Sequence, residues 1–355
     1  MTRTDSLAGP TLAIVARAAR VSVPTVSKVV NGRDDVAPDT RRRVTEALDR
    51  LGYVRRPRSA TRAYHPSQVD VVLHSLESSW SGAVLHGVEA AAEEAGLEVV
   101  VRTGSGRTTA AGPESRWLDR LAARGSAGVL FNLAELTAAE YSWLDRRGIP
   151  FVMIDPVADP PPDVLTVGAA NWQGGLSATQ HLLALGHRRI AVIGSGPNQL
   201  CAGARMAGHR SALAETGLPY RPEYERFAHF DIAEARLRTL ELLDLPEPPT
   251  AVFVCSDAMA LGAYQAVAER GLRIPDDISV VGFDDLPESR WATPALTTVR
   301  QPLSDMAAAA LRLLVRTMAG DLPESSHIEL STHLVVRGST APPAGGTAAR
   351  LDPPR

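Results

Sequence analysis

Lysine is almost missing from this chain of 355 residues. Lys28 is the only one, and every other residue among the 37 Lys and Arg is arginine. Cysteine is nearly as scarce. Two thiols, Cys201 and Cys255, cannot build a disulfide framework or a four-thiolate metal site. No apolar run reaches the ~18–20 residues needed to cross a bilayer, so no membrane partner is expected. The opening MTRTDSLAGPTLA has no continuous apolar signal core, which predicts a cytoplasmic protein. The sequence also lacks a P-loop, an HExxH zinc helix and a GxSxG nucleophile elbow. GSGPNQ (194–199) follows a predicted strand but lacks the third glycine of a dinucleotide loop. The nine histidines do not stand at ligand spacing from the cysteines. These absences predict a protein that is not an enzyme and uses no cofactor or metal.

What the chain does have is an uneven charge. Residues 1–66 hold thirteen basic and six acidic residues, a surplus of seven positive charges. The remainder holds 24 basic and 34 acidic residues, a surplus of ten negative charges, so the formal net charge of −3 conceals a basic head on an acidic body. That is the electrostatic footprint of a nucleic-acid reader. The length and a hydrophobic fraction of 45% suit two or three domains with buried cores.

The basic head has helical periodicity. Leu12, Val15, Ala16 and Ala19 repeat at i, i+3, i+4, i+7 and predict a helix over 12–19. A second helix is predicted over 22–30. Ser22 is its N-cap, and Pro24 falls in the first turn, where a missing N–H costs nothing. The tight link 19–21 gives helix-turn-helix spacing, in which the second helix enters the major groove. Val26, Val29 and Val30 face inward, which leaves Thr25, Ser27, Lys28 and Asn31 for DNA. A third helix over 38–51 stops at Gly52, and its Val44, Ala47, Leu48 and Leu51 complete a three-helix core. Arg41, Arg42 and Arg43 crowd its first turn, within reach of phosphate.

From TLAIVARAARVSVPTVSKVVNG to RRRVTEALDRLGY, this head resembles the lactose-repressor (LacI/GalR) family of transcription regulators. The resemblance implies that Val23, Pro24 and Lys28 read bases, while Thr25, Ser27 and Asn31 hold backbone. Lysine at position 28, where the family more often has arginine, donates to guanine as a point charge without a bidentate fork. Ile14 takes a place that is usually acidic. Arg20 takes the place of a turn glycine; at positive φ that costs on the order of 1 kcal/mol. The family follows its head with a hinge helix that wedges a leucine into the minor groove. Here residues 55–68, RRPRSATRAYHPSQ, contain no leucine and are bracketed by Pro57 and Pro66. Either Tyr64 forms the wedge, or arginines such as Arg55 and Arg56 lie in a narrow minor groove, or the segment is a plain linker.

From Val69 onward, short apolar strands alternate with amphipathic helices. Strands are predicted at 69–74, 97–101, 127–132 and 150–155, then at 166–169, 188–195, 250–255 and 278–285. Helices are predicted at 82–95, 114–124, 137–147, 173–185, 201–216 and 257–270. Alternating βα units build doubly wound parallel sheets covered by helices. Two such runs predict two lobes, with a ligand cleft at the C-terminal ends of the strands.

HLLALGHRRIAVIGS (181–195), GARMAGHRSAL, SDAMALGA (256–263) and IPDDISVVGFDD (274–285) extend the family resemblance through the body. It implies the fold of periplasmic sugar-binding proteins, with three crossings between lobes. The expected organisation is a helix-turn-helix head at 1–54, a hinge or linker at 55–68, a two-lobed effector and dimerisation domain at 69–338, and a disordered tail at 339–355. Lobe 1 is expected from 69–164 and 300–323, lobe 2 from 165–298 and 327–337.

By matching landmarks, the resemblance assigns Arg205 as donor to effector hydroxyls or a carboxylate, and Asp284 as acceptor. A planar fork opposite a carboxylate holds vicinal hydroxyls in one orientation. Ser256 is expected at the ligand and Asp257 in a capping role. Phe230 is a candidate stacking aromatic, and Trp80 is expected in the first strand-to-helix loop. Ser75 and Asp155 end strands at the cleft, and Gln301 sits at a crossing. GAANWQGG (168–175) carries alanine where an aspartate is often found, which alters the rim. The resemblance implies a regulator whose partners are double-stranded operator DNA, a small sugar-like effector and a second copy of the chain. A single small reader buries too little DNA surface for specificity. The default is repression relieved by the effector. A corepressor mode and a solute-binding transport component are the other readings, and the second leaves the head unexplained.

Overall fold

A computed structural model of the chain describes residues 12–30, 36–51, 68–103, 115–196 and 199–344. The chain divides into two compact units, one up to Tyr64 and one from His65.

The N-terminal unit has three helices: α1 (Leu12–Ala19), α2 (Val23–Val30) and α3 (Pro38–Arg50). Val15, Ala16, Ala19, Val26, Val44 and Ala47 form its buried core. Leu12, Val29, Val30, Leu48 and Leu51 pack around that core. Ser22 caps α2, its Oγ accepting from the Thr25 N–H at 3.3 Å. Arg20 adopts φ 53°, so the left-handed turn that favours glycine is present and carries its cost of about 1 kcal/mol.

The C-terminal unit has two parallel-sheet lobes. Lobe 1 is built from β1 (Gln68–Leu73), α4 (Ser79–Ala95), β2 (Glu98–Thr103), α5 (Ser115–Arg124), β3 (Gly128–Asn132), α6 (Ala138–Arg147), β4 (Phe151–Ile154) and β5 (Thr166–Ala169). Lobe 2 follows with α7 (Asn171–Ala184), β6 (Ile190–Gly194), α8 (Leu200–Glu215), β7 (Glu225–Phe227), α9 (Ile232–Leu243), β8 (Ala251–Val254), α10 (Asp257–Glu269), β9 (Ser279–Asp284), α11 (Pro287–Trp291) and β10 (Thr297–Arg300). The chain then returns through α12 (Leu303–Met318) and β11 (His327–Leu330) in lobe 1 and ends with β12 (His333–Val335) in lobe 2. Sheet order is β11-β5-β4-β3-β1-β2 in lobe 1 and β12-β10-β9-β8-β6-β7 in lobe 2. Only β12 runs antiparallel to its neighbour among the described strands.

The central strands are apolar because both faces are covered. GVLFN of β3, IAVIG of β6 and AVFV of β8 are buried at every position. One face of the lobe 1 sheet packs under α4 and α12 through Val84, Val88, Met306 and Leu314. The other packs under α5 and α6 through Leu118, Leu121 and Leu144.

Four boundaries differ from the sequence reading. Strand β5 pairs with β4 and β11, so lobe 1 runs through Ala169, and 165–169 leaves lobe 2. Strand β11 also lies in lobe 1 and only β12 reaches lobe 2, so the third crossing falls at 331–332. The apolar pattern identified β5, and the family topology placed strands near 327–337, but neither could say which sheet edge each joins. The start of the supposed tail is packed. Ser339 Oγ accepts from the Thr297 N–H at 2.8 Å and donates to the Val280 carbonyl at 2.6 Å, and the Ala341 carbonyl pairs with His187 Nε2 at 2.9 Å. Small and proline-rich composition hid these edge contacts. Gln68 opens β1 rather than closing the linker. Residues 345–355, and 55–67 with Tyr64, Arg55 and Arg56, lie outside the described residues.

Glycines bring α7 and α8 close enough to set the cleft. A Cβ on Gly175 would stand 2.0 Å from the Arg205 carbonyl oxygen, and one on Gly208 would stand 2.1 Å from that of Trp172. Gly175→Ala is therefore expected to lower the stability of the C-terminal unit by about 1–3 kcal/mol, the usual cost of overpacking. Urea denaturation followed by far-UV circular dichroism checks this; an unchanged midpoint would mean that the helices can separate freely.

Candidate functional site

The C-terminal ends of the strands in both lobes converge where the chain crosses between them. Lobe 1 contributes Asn132, which ends β3, and Asp155, which follows β4. Lobe 2 contributes Ser195 after β6, Ser256 after β8, Asp284 at the end of β9, and Gln301 after β10. The two sides meet: the Leu200 N–H donates to the Val157 carbonyl across the cleft at 3.1 Å. Among the described residues, non-glycine positive φ values cluster here, at Leu133 (47°), Asp155 (45°), Phe230 (58°), Asp284 (121°) and Asp285 (57°). Backbone strain of this kind gathers at ligand sites, where surrounding contacts over-determine it.

Arg205 is the centre of the arrangement. It is 3% exposed on α8, yet it is a permanent cation. Its Nε donates to Asn171 Oδ1 at 2.8 Å and its Nη1 to the Cys255 carbonyl at 2.6 Å. Asp284 Oδ1 stands 3.5 Å from Nη1, and the guanidinium lies 3.7 Å above the Phe283 ring. Gln301 Nε2 donates to Asp284 Oδ1 at 2.6 Å. The buried Gln301 Oε1, Asn132 Oδ1 and Ser195 Oγ have no hydrogen-bond partner. Buried polar atoms are normally paired, and each one left open is a place for a ligand or an ordered water.

The remaining sequence candidates divide. Ser256 caps α10, accepting from the Met259 N–H at 3.1 Å. Asp257 accepts from the Leu286 N–H at 2.8 Å and from Thr298 Oγ1 at 2.5 Å. The capping role expected of Asp257 thus belongs to Ser256, and Asp257 ties the loop after β9 to β10. Trp80 is 8% exposed inside α4, within the lobe 1 core, because capping by Ser78 starts that helix three residues earlier than its predicted start at 82. It does not lie in the preceding loop. Phe230 is half-buried and packs against the lobe 2 core. Ser75 Oγ accepts from the Glu77 N–H at 3.1 Å within its own turn. Sequence reasoning missed Asn171, Phe283 and Asn132. Asn132 carried a readable signal: like Asp155, it is a polar residue at the end of an apolar strand.

On the N-terminal unit, Ser22, Val23, Pro24 and Lys28 are exposed along α2, and Thr25, Ser27 and Arg41 are half-exposed. Asn31 lies outside the described residues. Arg42 pairs with Asp39 at 3.1 Å.

Burial pushes the Asp155 carboxyl up to about 6, with the charge of Arg205 opposing. Burial pushes Asp284 up to about 7, against the pull of Arg205 and the Gln301 hydrogen bond. Burial likewise raises Cys201 to about 11 and Cys255 to about 12, so both thiols stay protonated beside Arg205.

These features define a class: a DNA-binding head joined to a two-lobed binding domain. Residues 11–56 match "Bacterial regulatory proteins, lacI family", and residues 179–340 match "Periplasmic binding protein-like domain". The chain is 36% identical over 342 residues to the transcriptional regulator CelR of Thermobifida fusca, covering 93% of this chain and 98% of that one. It is 30% identical to catabolite control protein A of Priestia megaterium, covering 92% and 98%. Among solved structures, a CelR–cellobiose complex superposes with a TM-score of 0.71 at 34% identity, covering 93% of this chain and 99% of that one. The lac repressor dimer bound to operator and the anti-inducer ONPF gives 0.69 at 28% identity, covering 94% and 100%. The chain belongs to the LacI family and is a transcriptional regulator. Among the described residues, no helix is long and apolar enough to cross a membrane.

An acid with a pKa raised by folding favours the folded state only while protonated. For Asp155 and Asp284 that contribution is full below about pH 4 and is lost as pH rises through about 6 and about 7. The urea midpoint of the wild type is expected to fall between about pH 4.5 and about pH 7.5 relative to a D155N/D284N variant. Parallel pH profiles would remove these carboxyls from the account.

Proposed function

We propose that this regulator is a cytoplasmic homodimeric repressor. It binds a palindromic operator through α2 and is released when a sugar-like effector occupies the cleft. The observation that carries the effector assignment is the pairing of a buried donor with buried acceptors. Arg205 and Asp284 stand 3.5 Å apart, and Asn132 Oδ1 and Gln301 Oε1 are acceptors with no partner. A polyhydroxylated ligand supplies several hydroxyls that both donate and accept, which matches such a set. The likeness to a regulator solved with cellobiose supports a β-linked glucose disaccharide as the first probe. Arg205 donates to hydroxyls, Asp155 and Asp284 accept, and Phe230 covers an apolar ring face.

Closure around the effector stabilises one lobe angle and shifts the population away from the operator-bound state. A corepressor response uses the same cleft with the opposite sign. On DNA, Val23, Pro24 and Lys28 read bases in the major groove. Ser22, Thr25, Ser27, Asn31 and Arg41 hold the phosphate backbone, and Arg55 and Arg56 reach the minor groove. The reading involves no catalysis, metal or cofactor.

Footprinting upstream of this regulator's own gene is expected to show a protected palindrome that cellobiose releases. Protection without two-fold symmetry would contradict the dimer. Lys28→Ala is expected to lower operator affinity by about 1–3 kcal/mol and leave sugar binding intact. An equal loss on unrelated DNA would place Lys28 on phosphate alone.

A further inference from the structure

Three backbone crossings join the lobes, and a side chain makes a fourth link. Leu286 follows β9 by two residues, and its backbone is held in lobe 2. Its N–H donates to Asp257 Oδ2 at 2.8 Å, and its carbonyl accepts from Ser289 Oγ at 2.6 Å and from the Ser289 N–H at 3.0 Å. Its side chain, 5% exposed, belongs to the apolar cluster of lobe 1, together with Trp80, Leu303 and Met306. Phe283, three residues earlier, belongs to the cluster of lobe 2.

The two residues between them are also committed. Asp284 faces Arg205 in the cleft. The side chain of Asp285 is fully buried, paired with Arg300 at 2.5 Å and with Arg337. Both aspartates have positive φ, at 121° and 57°. Four consecutive residues thus connect the lobe 2 core, the cleft carboxylate, a clamped ion cluster and the lobe 1 core.

We infer that Leu286 is the peg through which occupancy of the cleft sets the angle between the lobes. A change of lobe angle must withdraw this side chain from the lobe 1 cluster or re-seat it there. Close-packed apolar contacts of this kind switch between discrete arrangements rather than deforming smoothly. A ligand that moves the carboxylate of Asp284 acts on a strained segment whose next anchor is Asp285 and whose end is the peg. The chain of contact is therefore two residues long, and both the cleft and lobe 1 bias the same element. The inference rests on the cleft being the effector site.

The test uses full-length protein as wild type, Leu286→Ala and Leu286→Met, with cellobiose as the probe. Amide hydrogen exchange is read at the crossings, residues 170–172, 301–303 and 331–332, and operator affinity is measured with and without the sugar. Leu286→Ala is expected to speed exchange at the crossings by about tenfold while the central strands of both lobes keep their protection. Cellobiose affinity is expected to persist while the operator response to cellobiose shrinks by about fivefold or more. Leu286→Met, which conserves volume, restores both. Unchanged exchange at the crossings, or an unchanged operator response, overturns the peg. Loss of strand protection throughout in Leu286→Ala, repeated in Leu286→Met, also overturns it, by reducing Leu286 to a general packing residue. If wild-type operator affinity ignores cellobiose, the choice of sugar fails, and exchange at the crossings alone decides the peg.

Discussion

A single buried arginine constrains the rest of the C-terminal unit. An uncompensated charge inside a protein costs several kcal/mol, so Arg205 requires acceptors from several directions at once. Asn171 supplies one from the start of α7, the Cys255 carbonyl another from the end of β8, and Asp284 a third from β9. The Phe283 ring closes the remaining face. These groups come from separate βα units, so the guanidinium can be satisfied only when lobe 2 is assembled. Gly175 and Gly208 belong to the same constraint, since they let α7 approach α8 closely enough for Asn171 to reach Arg205. Asp155 faces the cation from lobe 1, which makes its electrostatics sensitive to how far the lobes are apart.

The same region holds the strain. Asp155, Asp284 and Asp285 occupy backbone conformations that aspartate seldom adopts; the first two are buried, and the side chain of the third is buried in its ion pairs. Asp285 is held below the ordinary carboxylate range: burial acts to raise it, and the hydrogen bonds and charges of Arg337 and Arg300 outweigh that. Asp284 is held above the range because burial outweighs the opposing charge of Arg205 and the Gln301 hydrogen bond. Adjacent carboxyls with opposite shifts have separate duties. Asp285 anchors the loop through its ion pairs with Arg300 and Arg337, and Asp284 faces Arg205 and Gln301 in the cleft.

Much of this was legible in the sequence. The helix-turn-helix follows from Ser22 as a cap, Pro24 in the first turn and an apolar stripe through Val15, Val26 and Val44. The strands follow from apolar runs of four to six residues, because strands buried on both faces carry no alternation to confuse the reading. Sheet membership was not legible. Strands β5 and β11 have the same composition in either lobe, and only long-range pairing decides between them. Trp80 was misplaced because its helix begins at Ser79, one serine after the cap at Ser78. That Ser256 rather than Asp257 caps α10 also depends on tertiary contact, since the carboxylate finds Leu286 and Thr298 far along the chain. Asn171 was obscured by its neighbours: an alanine near the start of GAANWQGG drew notice as a departure, while the asparagine that holds Arg205 stood close by.

The central claim is that a sugar-like ligand sits against Arg205 between the lobes. Thermal denaturation of the wild type and of Arg205→Gln across a panel of mono- and disaccharides tests it most directly. The account predicts that at least one sugar, cellobiose first among them, raises the melting temperature of the wild type by several degrees, as binding to the folded state alone must. It predicts that the same sugar leaves Arg205→Gln unmoved. An equal rise in both proteins would place the ligand elsewhere, and no rise with any sugar would remove sugars as the effector class.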